Sequence, residues 1–178
     1  MRNNIIGAIV FVCLFAAPIF GDSDTQIRYQ IIDFGSGRWQ YTYDVYNISL
    51  TEEISEFTIW FDFGLYDNLA IETPDPPANS WDEVIWDPEP LLEDDGGYDA
   101  LAEILSIDVG QNVSGFAVSF DWLGTGMPSS QFYEIIDPDT FETIEYGYTV
   151  PEPMTLLLFG LGCMLLKAKR SSLRGAQR

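Results

Sequence analysis

The chain has 178 residues, with 28 Asp and Glu against eight Lys and Arg, no His and two Cys, for a formal net charge of −20. Between residues 22 and 150 the imbalance sharpens: 27 acids face only Arg28 and Arg38, a charge of −25, and that segment holds no His, Cys or Lys. These absences exclude a Ser-His-Asp triad, a Cys nucleophile, a Ser-Lys pair, a Schiff base and a His- or Cys-ligated zinc there, while the charge disfavours nucleic acid and anionic lipid as partners.

The first element is a secretory signal peptide over residues 1–21. Arg2 supplies the positive start, Ile5 to Ala17 the apolar stretch, and Gly21 the small residue before cleavage ahead of Asp22. Strand periodicity follows. Ile27, Tyr29 and Ile31 alternate with polar residues, Gly35-Ser36-Gly37 makes a turn, and Trp39, Tyr41, Tyr43 and Val45 alternate again, which predicts a hairpin. Phe57, Ile59, Phe61 and Phe63 form a third alternating run. From Tyr66 to Glu103, Pro74, Pro76, Pro77, Pro88 and Pro90 exclude a long helix and predict a surface excursion in which Val84 to Trp86 make at most a short edge strand. Tyr98 to Leu105 reads as about two turns of helix capped by Asp99, with Ile104 to Val109 as a competing strand. Phe116, Val118, Phe120 and Trp122 alternate, and Phe132–Ile136 and Phe141–Tyr146 flank a turn at Asp137-Pro138-Asp139-Thr140. The fold class expected is all-β: one antiparallel β-sandwich or jelly-roll-like domain over residues 22–149. All five Trp and all nine Tyr lie in it, ample material for a core despite the charge. Cys13 falls in the signal peptide and Cys163 in the tail, so this domain folds without disulfides.

Residues 150–178 complete the chain. Pro151-Glu152-Pro153 favours extended backbone, Met154 to Leu166 form 13 apolar residues, and residues 167–178 carry Lys167, Lys169, Arg170, Arg174 and Arg178. The apolar run is short of the roughly 20 residues that span a bilayer comfortably, and the basic end holds the C-terminus on the cytoplasmic side. This order resembles the PEP-CTERM sorting signal, in which Pro151, Glu152 and Pro153 are the recognition motif and residues 154–166 the transmembrane helix. The resemblance implies processing by an exosortase after transient residence in the inner membrane. It further implies residence at the cell surface or in the extracellular matrix of a Gram-negative bacterium that makes exopolysaccharide.

Two constellations in the domain carry ligand chemistry. Asp94, Asp95 and Asp99, within Glu93-Asp94-Asp95-Gly96-Gly97-Tyr98-Asp99, are candidate oxygen ligands for calcium, the one cofactor left open. EF-hand spacing fails there, because placing Gly97 sixth puts Leu92 first, and a solvated acidic loop explains the same residues. Trp60, Trp81 and Trp86 are candidate carbohydrate contacts, against the alternative that they are lids over the core. The leading expectation is a non-enzymatic, structural or adhesive surface protein associated with exopolysaccharide. A carbohydrate-binding module and, third, a carboxylate-dependent glycosidase are the alternatives.

Overall fold

The computed structural model of the chain describes residues 23–152. The expected signal peptide and the sorting signal from Pro153 onward lie outside those residues.

Alternating side chains bury one face of each strand, and two such faces close on each other. The strands are β1 (Thr25–Gly35), β2 (Arg38–Asn47), β3 (Glu56–Phe61), β4 (Tyr66–Ile71), β5 (Trp81–Trp86), β6 (Gly96–Ala102), β7 (Asn112–Trp122), β8 (Phe132–Ile136), β9 (Thr143–Tyr148) and β10 (Val150–Pro151). They form two five-stranded sheets, ordered β10-β1-β2-β7-β4 and β5-β6-β3-β8-β9. Every pairing is antiparallel except that of β1 with β10.

The β1–β2 turn shows local sequence fixing geometry. Ser36 and Gly37 have φ of 57° and 86°, the double positive φ that a type I′ hairpin requires to match strand twist. From it the register runs Asp33↔Trp39 down to Thr25↔Asn47, with a bulge between Asp33 and Gly35. Ile27, Tyr41, Tyr43, Val45, Phe116, Val118 and Phe120 of the first sheet and Phe57, Ile59, Phe61, Tyr98 and Ile135 of the second are fully buried. Their rings mesh across the interior: Phe57 meets Phe116 at 5.0 Å and 79°, and Phe61 meets Tyr66 at 5.1 Å and 89°, the edge-to-face arrangement that ring quadrupoles favour. Buried hydroxyls are supplied with partners, as burial demands. Tyr41 donates to the Ser129 carbonyl at 2.7 Å, and the Gln131 amide donates to the Tyr43 oxygen at 2.8 Å.

The segment between Tyr66 and Glu103 departs from expectation. It holds three strands, β4, β5 and β6, because its prolines fall in the connections: Pro74, Pro76 and Pro77 between β4 and β5, Pro88 and Pro90 between β5 and β6. No helix forms at Tyr98. Tyr98 and Ala100 point inward while Asp99 and Leu101 point outward, a two-residue period, and β6 hydrogen-bonds on both sides, to β3 and β5. The competing Ile104–Val109 strand reduces to one bridge, Ile54↔Ile107. Val150 and Pro151 are extended and belong to the first sheet. The Glu152 amide donates to the Tyr29 carbonyl at 2.9 Å, and the Gln30 side chain donates to Glu152 Oε2 at 2.5 Å.

Trp81, at the start of β5, is only 3% exposed and lies against Phe57 and Phe116, at 5.7 and 5.3 Å. Trp81→Ala should therefore cost about 3–5 kcal/mol of stability. A denaturant midpoint lowered to that extent is the expected measurement.

Candidate functional site

The outer face of the second sheet carries several aromatics that the core does not use. Since Phe57, Ile59 and Phe61 face inward, Trp60 faces out; since Trp81 is buried, Asp82, Val84 and Trp86 face out. Gly97 of β6 is the cross-strand partner of both Trp60 and Trp86. Its missing side chain is what seats the second ring: a Cβ there would lie 2.1 Å from Trp86 Cζ2. The two indoles meet edge to face, with centroids 5.8 Å apart at 78°. Trp60 Nε1 donates to Glu134 Oε2 of β8 at 2.9 Å, and Thr143 Oγ1 of β9 donates to Glu134 Oε1 at 2.9 Å. One carboxylate thus fixes the tilt of Trp60 and ties three strands together.

The β5–β6 connection walls this pair. Trp60, Trp86, Asp87, Glu89, Glu93, Asp94 and Asp95 line an open groove of about 510 Å³. Glu89 and Asp94 pair through backbone bonds of 2.9 and 3.3 Å, Asp87 Oδ1 accepts from the Leu69 amide at 2.6 Å, and Asp95 Oδ1 accepts from the Phe63 amide at 2.8 Å. The loop is therefore stapled to β4 itself and to the segment just before it. Burial, then the Asp95 charge, pushes the Asp62 carboxyl above its ordinary value of 3.8.

Of the residues singled out from sequence, Trp60 and Trp86 come together. Trp81 does not: it is an inter-sheet core ring and offers no face to a ligand. Asp94 and Asp95 sit at the groove, but Asp99 lies within β6 and accepts a 2.6 Å hydrogen bond from Thr58 Oγ1. Among the described residues no group of three or more His, Cys, Asp or Glu side chains is placed to hold a metal ion. From sequence, Gly97 enters only as a calcium-loop position and Glu134 is not singled out; a glycine inside a strand signals close approach, but β6 is not legible as a strand in sequence. Of the sorting motif, Pro151 and Glu152 lie in or beside β10, and Pro153 is outside the described residues.

A second cleft, about 680 Å³, runs between β1 and β9 and includes Ser23, Gln26, Ile48, Tyr133 and Glu145 in its lining. Glu145 Oε1 accepts from Ser23 Oγ at 2.7 Å and the Asp24 amide at 3.0 Å. This carboxylate is engaged in fastening the start of the described chain to β9.

No family model and no curated protein matches the chain. Solved structures similar to it include a carbohydrate-binding module of the cellulosomal cellobiohydrolase 9A from Clostridium thermocellum, at 7% identity and TM-score 0.41, over 71% of this chain and 88% of that one. A type I cohesin–dockerin complex from the same organism matches at 14% identity and TM-score 0.40, over 72% and 99%. A GH20 exo-β-N-acetylglucosaminidase from Vibrio harveyi matches at 7% identity and TM-score 0.38, over 74% of this chain; the chain spans only 18% of that enzyme.

The crowding of acids on this face has a pH signature. Burial and then the Asp82 charge raise the Asp99 carboxyl above 3.8, and burial, Asp99 and Asp137 raise Glu56 above 4.5. The folded state then binds protons more tightly than the unfolded one, so stability grows as pH falls through the interval above those two values. Asp137, held low chiefly by the Asp139 amide, opposes this only below 3.8. The melting temperature is expected to rise on acidification from neutral to about pH 5, and Asp99→Asn, which keeps an acceptor for Thr58, should raise it at neutral pH and flatten the dependence. A melting temperature that fell steadily over the same interval would contradict the assignment.

Proposed function

We propose that the chain is an exported, non-catalytic bacterial surface or matrix protein whose β-sandwich binds polysaccharide at Trp60 and Trp86. The carrying observation is the pair of indoles on an outward sheet face, one seated on Gly97 and the other fixed by Glu134, at the wall of a groove. Flat, rigid rings at fixed tilt match the apolar faces of sugar rings, and the carboxylates around them accept hydrogen bonds from hydroxyls. Export and delivery to the cell surface are supported by the signal-peptide pattern and by the Pro-Glu-Pro, apolar and basic order of residues 150–178, which resembles an exosortase substrate. A binding role rather than turnover is supported by the lack of His, Cys and Lys between residues 22 and 150, and by the use of Asp87 and Asp95 as loop staples.

A glycan array followed by titration of the full-length chain in detergent tests this. Trp86→Ala and Trp60→Ala should each weaken binding about two- to tenfold, the range of 0.5–1.5 kcal/mol for a ring contact. Gly97→Ala should do the same while leaving both rings in the chain, because its Cβ must displace Trp86. Chelation with EDTA should leave the affinity unchanged. Retention that disappears with EDTA and is indifferent to all three substitutions would instead assign binding to the acidic loops.

A further inference from the structure

Resting on that reading, we propose that the polysaccharide bound is a cationic amino-sugar chain, laid across the second sheet along the row Trp86, Gly97, Trp60, Phe132 and Tyr148. The register builds the row. Trp86↔Gly97 and Gly97↔Trp60 are cross-strand pairs, and Phe132↔Tyr148 is another. The β3–β8 register, Thr58↔Glu134 and Ile59↔Tyr133, carried one step further sets Trp60 opposite Phe132. Opposed residues of antiparallel strands share a face, so one line of side chains crosses all five strands. With strands about 4.8 Å apart, four steps make a platform of about 19 Å, long enough for several sugar units end to end.

The two ends of this line are open to solvent. Trp86 is 38% exposed and Tyr148 68% exposed, and Phe132 braces Tyr148 at 5.6 Å and 64°. Exposed rings at both ends of a row whose middle rings, Trp60 and Phe132, are half-buried mark a contact surface on an acidic protein.

Charge then selects among polysaccharides. The domain's two basic side chains both belong to the first sheet: Arg28 lies 4.4 Å from the Tyr46 ring, and Arg38 reaches Asp121 and Ser119. The strands of the second sheet carry no Lys or Arg. Flanking the row are Glu134, which anchors Trp60, and the groove carboxylates of Asp87, Glu89, Glu93, Asp94 and Asp95. A uronic-acid polymer would meet like charge on every side, with no cluster of carboxylates among the described residues placed to hold a bridging metal. A chain of protonated amino sugars meets carboxylates beside aromatic faces, the pairing that ammonium groups favour.

Titration of the full-length chain with glucosamine oligomers, from dimer to hexamer, and with their N-acetylated counterparts separates the possibilities. Free-amine oligomers should bind about fivefold or more tighter than acetylated ones, gain affinity with length, and lose that advantage in high salt. Tyr148→Ala should cancel the gain with length while leaving the dimer's affinity in place, and Trp86→Ala should weaken both. Neither substitution alters charge, so general attraction to an acidic protein cannot reproduce the pattern. Equal binding of acetylated and free-amine oligomers, or a length dependence untouched by Tyr148→Ala, would overturn the row and its ligand while leaving the Trp60–Trp86 site standing if Trp86→Ala still weakens binding. Failure of every glycan to bind, or indifference to Trp86→Ala, would remove both.

Discussion

The meshing of aromatic rings between the two sheets is the constraint on which everything else rests. A domain with 27 acids and two arginines has little to gain from its surface: exposed like charges repel, and a lone ion pair such as Arg38–Asp121, about a third to two-fifths exposed on each side, returns little in water. Cohesion comes from inside. Burial of each large apolar side chain contributes about 1.5–3 kcal/mol, and edge-to-face contacts such as Phe57–Phe116 and Phe61–Tyr66 add about 0.5–1.5 kcal/mol each. Carboxylates repelling one another across water lose about 1 kcal/mol at 4 Å, and less when salt screens them. The interior therefore wins, provided the rings interlock without leaving a cavity.

That requirement also shapes the outside. Because a strand alternates strictly, committing Phe57, Ile59 and Phe61 to the core commits Trp60 to solvent, and committing Trp81 leaves Trp86 outward at the other end of β5. A ring left outside would ordinarily lie loosely. Here Gly97 gives Trp86 a bed of bare backbone, and Glu134 gives the Trp60 indole its one hydrogen-bond partner. The result is a surface whose geometry is fixed before any ligand arrives, so less ordering entropy has to be lost on binding.

Sequence alone revealed the parts of this architecture that depend on short-range alternation. β1, β2, β3, β7 and β8 are visible in residues such as Tyr41-Thr42-Tyr43 and Phe116-Ala117-Val118, and the Gly35-Ser36-Gly37 turn is visible in its glycines. β6 was hidden because Asp99-Ala100-Leu101-Ala102-Glu103 is rich in helix formers; pairing on both edges overrides that propensity. β5 is legible as the short edge strand at Val84 to Trp86, while β4 is masked by prolines that lie between strands. Trp60 and Trp86 were legible as outward or irregular aromatics, but not their meeting, since only sheet order brings β3 and β5 to either side of β6. For the same reason Trp81 looks like them in sequence: nearness along the chain does not say which face of a strand a side chain occupies.

The central claim is that the outward indoles, not the buried ones, meet the ligand, and the side-chain N–H signals of the five tryptophans test it most directly. In a nuclear magnetic resonance titration with glucosamine oligomers, the Trp60 and Trp86 indole resonances are predicted to shift in step with saturation while that of Trp81 stays where it is. Binding that left Trp60 and Trp86 unmoved, or that moved Trp39 and Trp122 of the first sheet instead, would contradict the account.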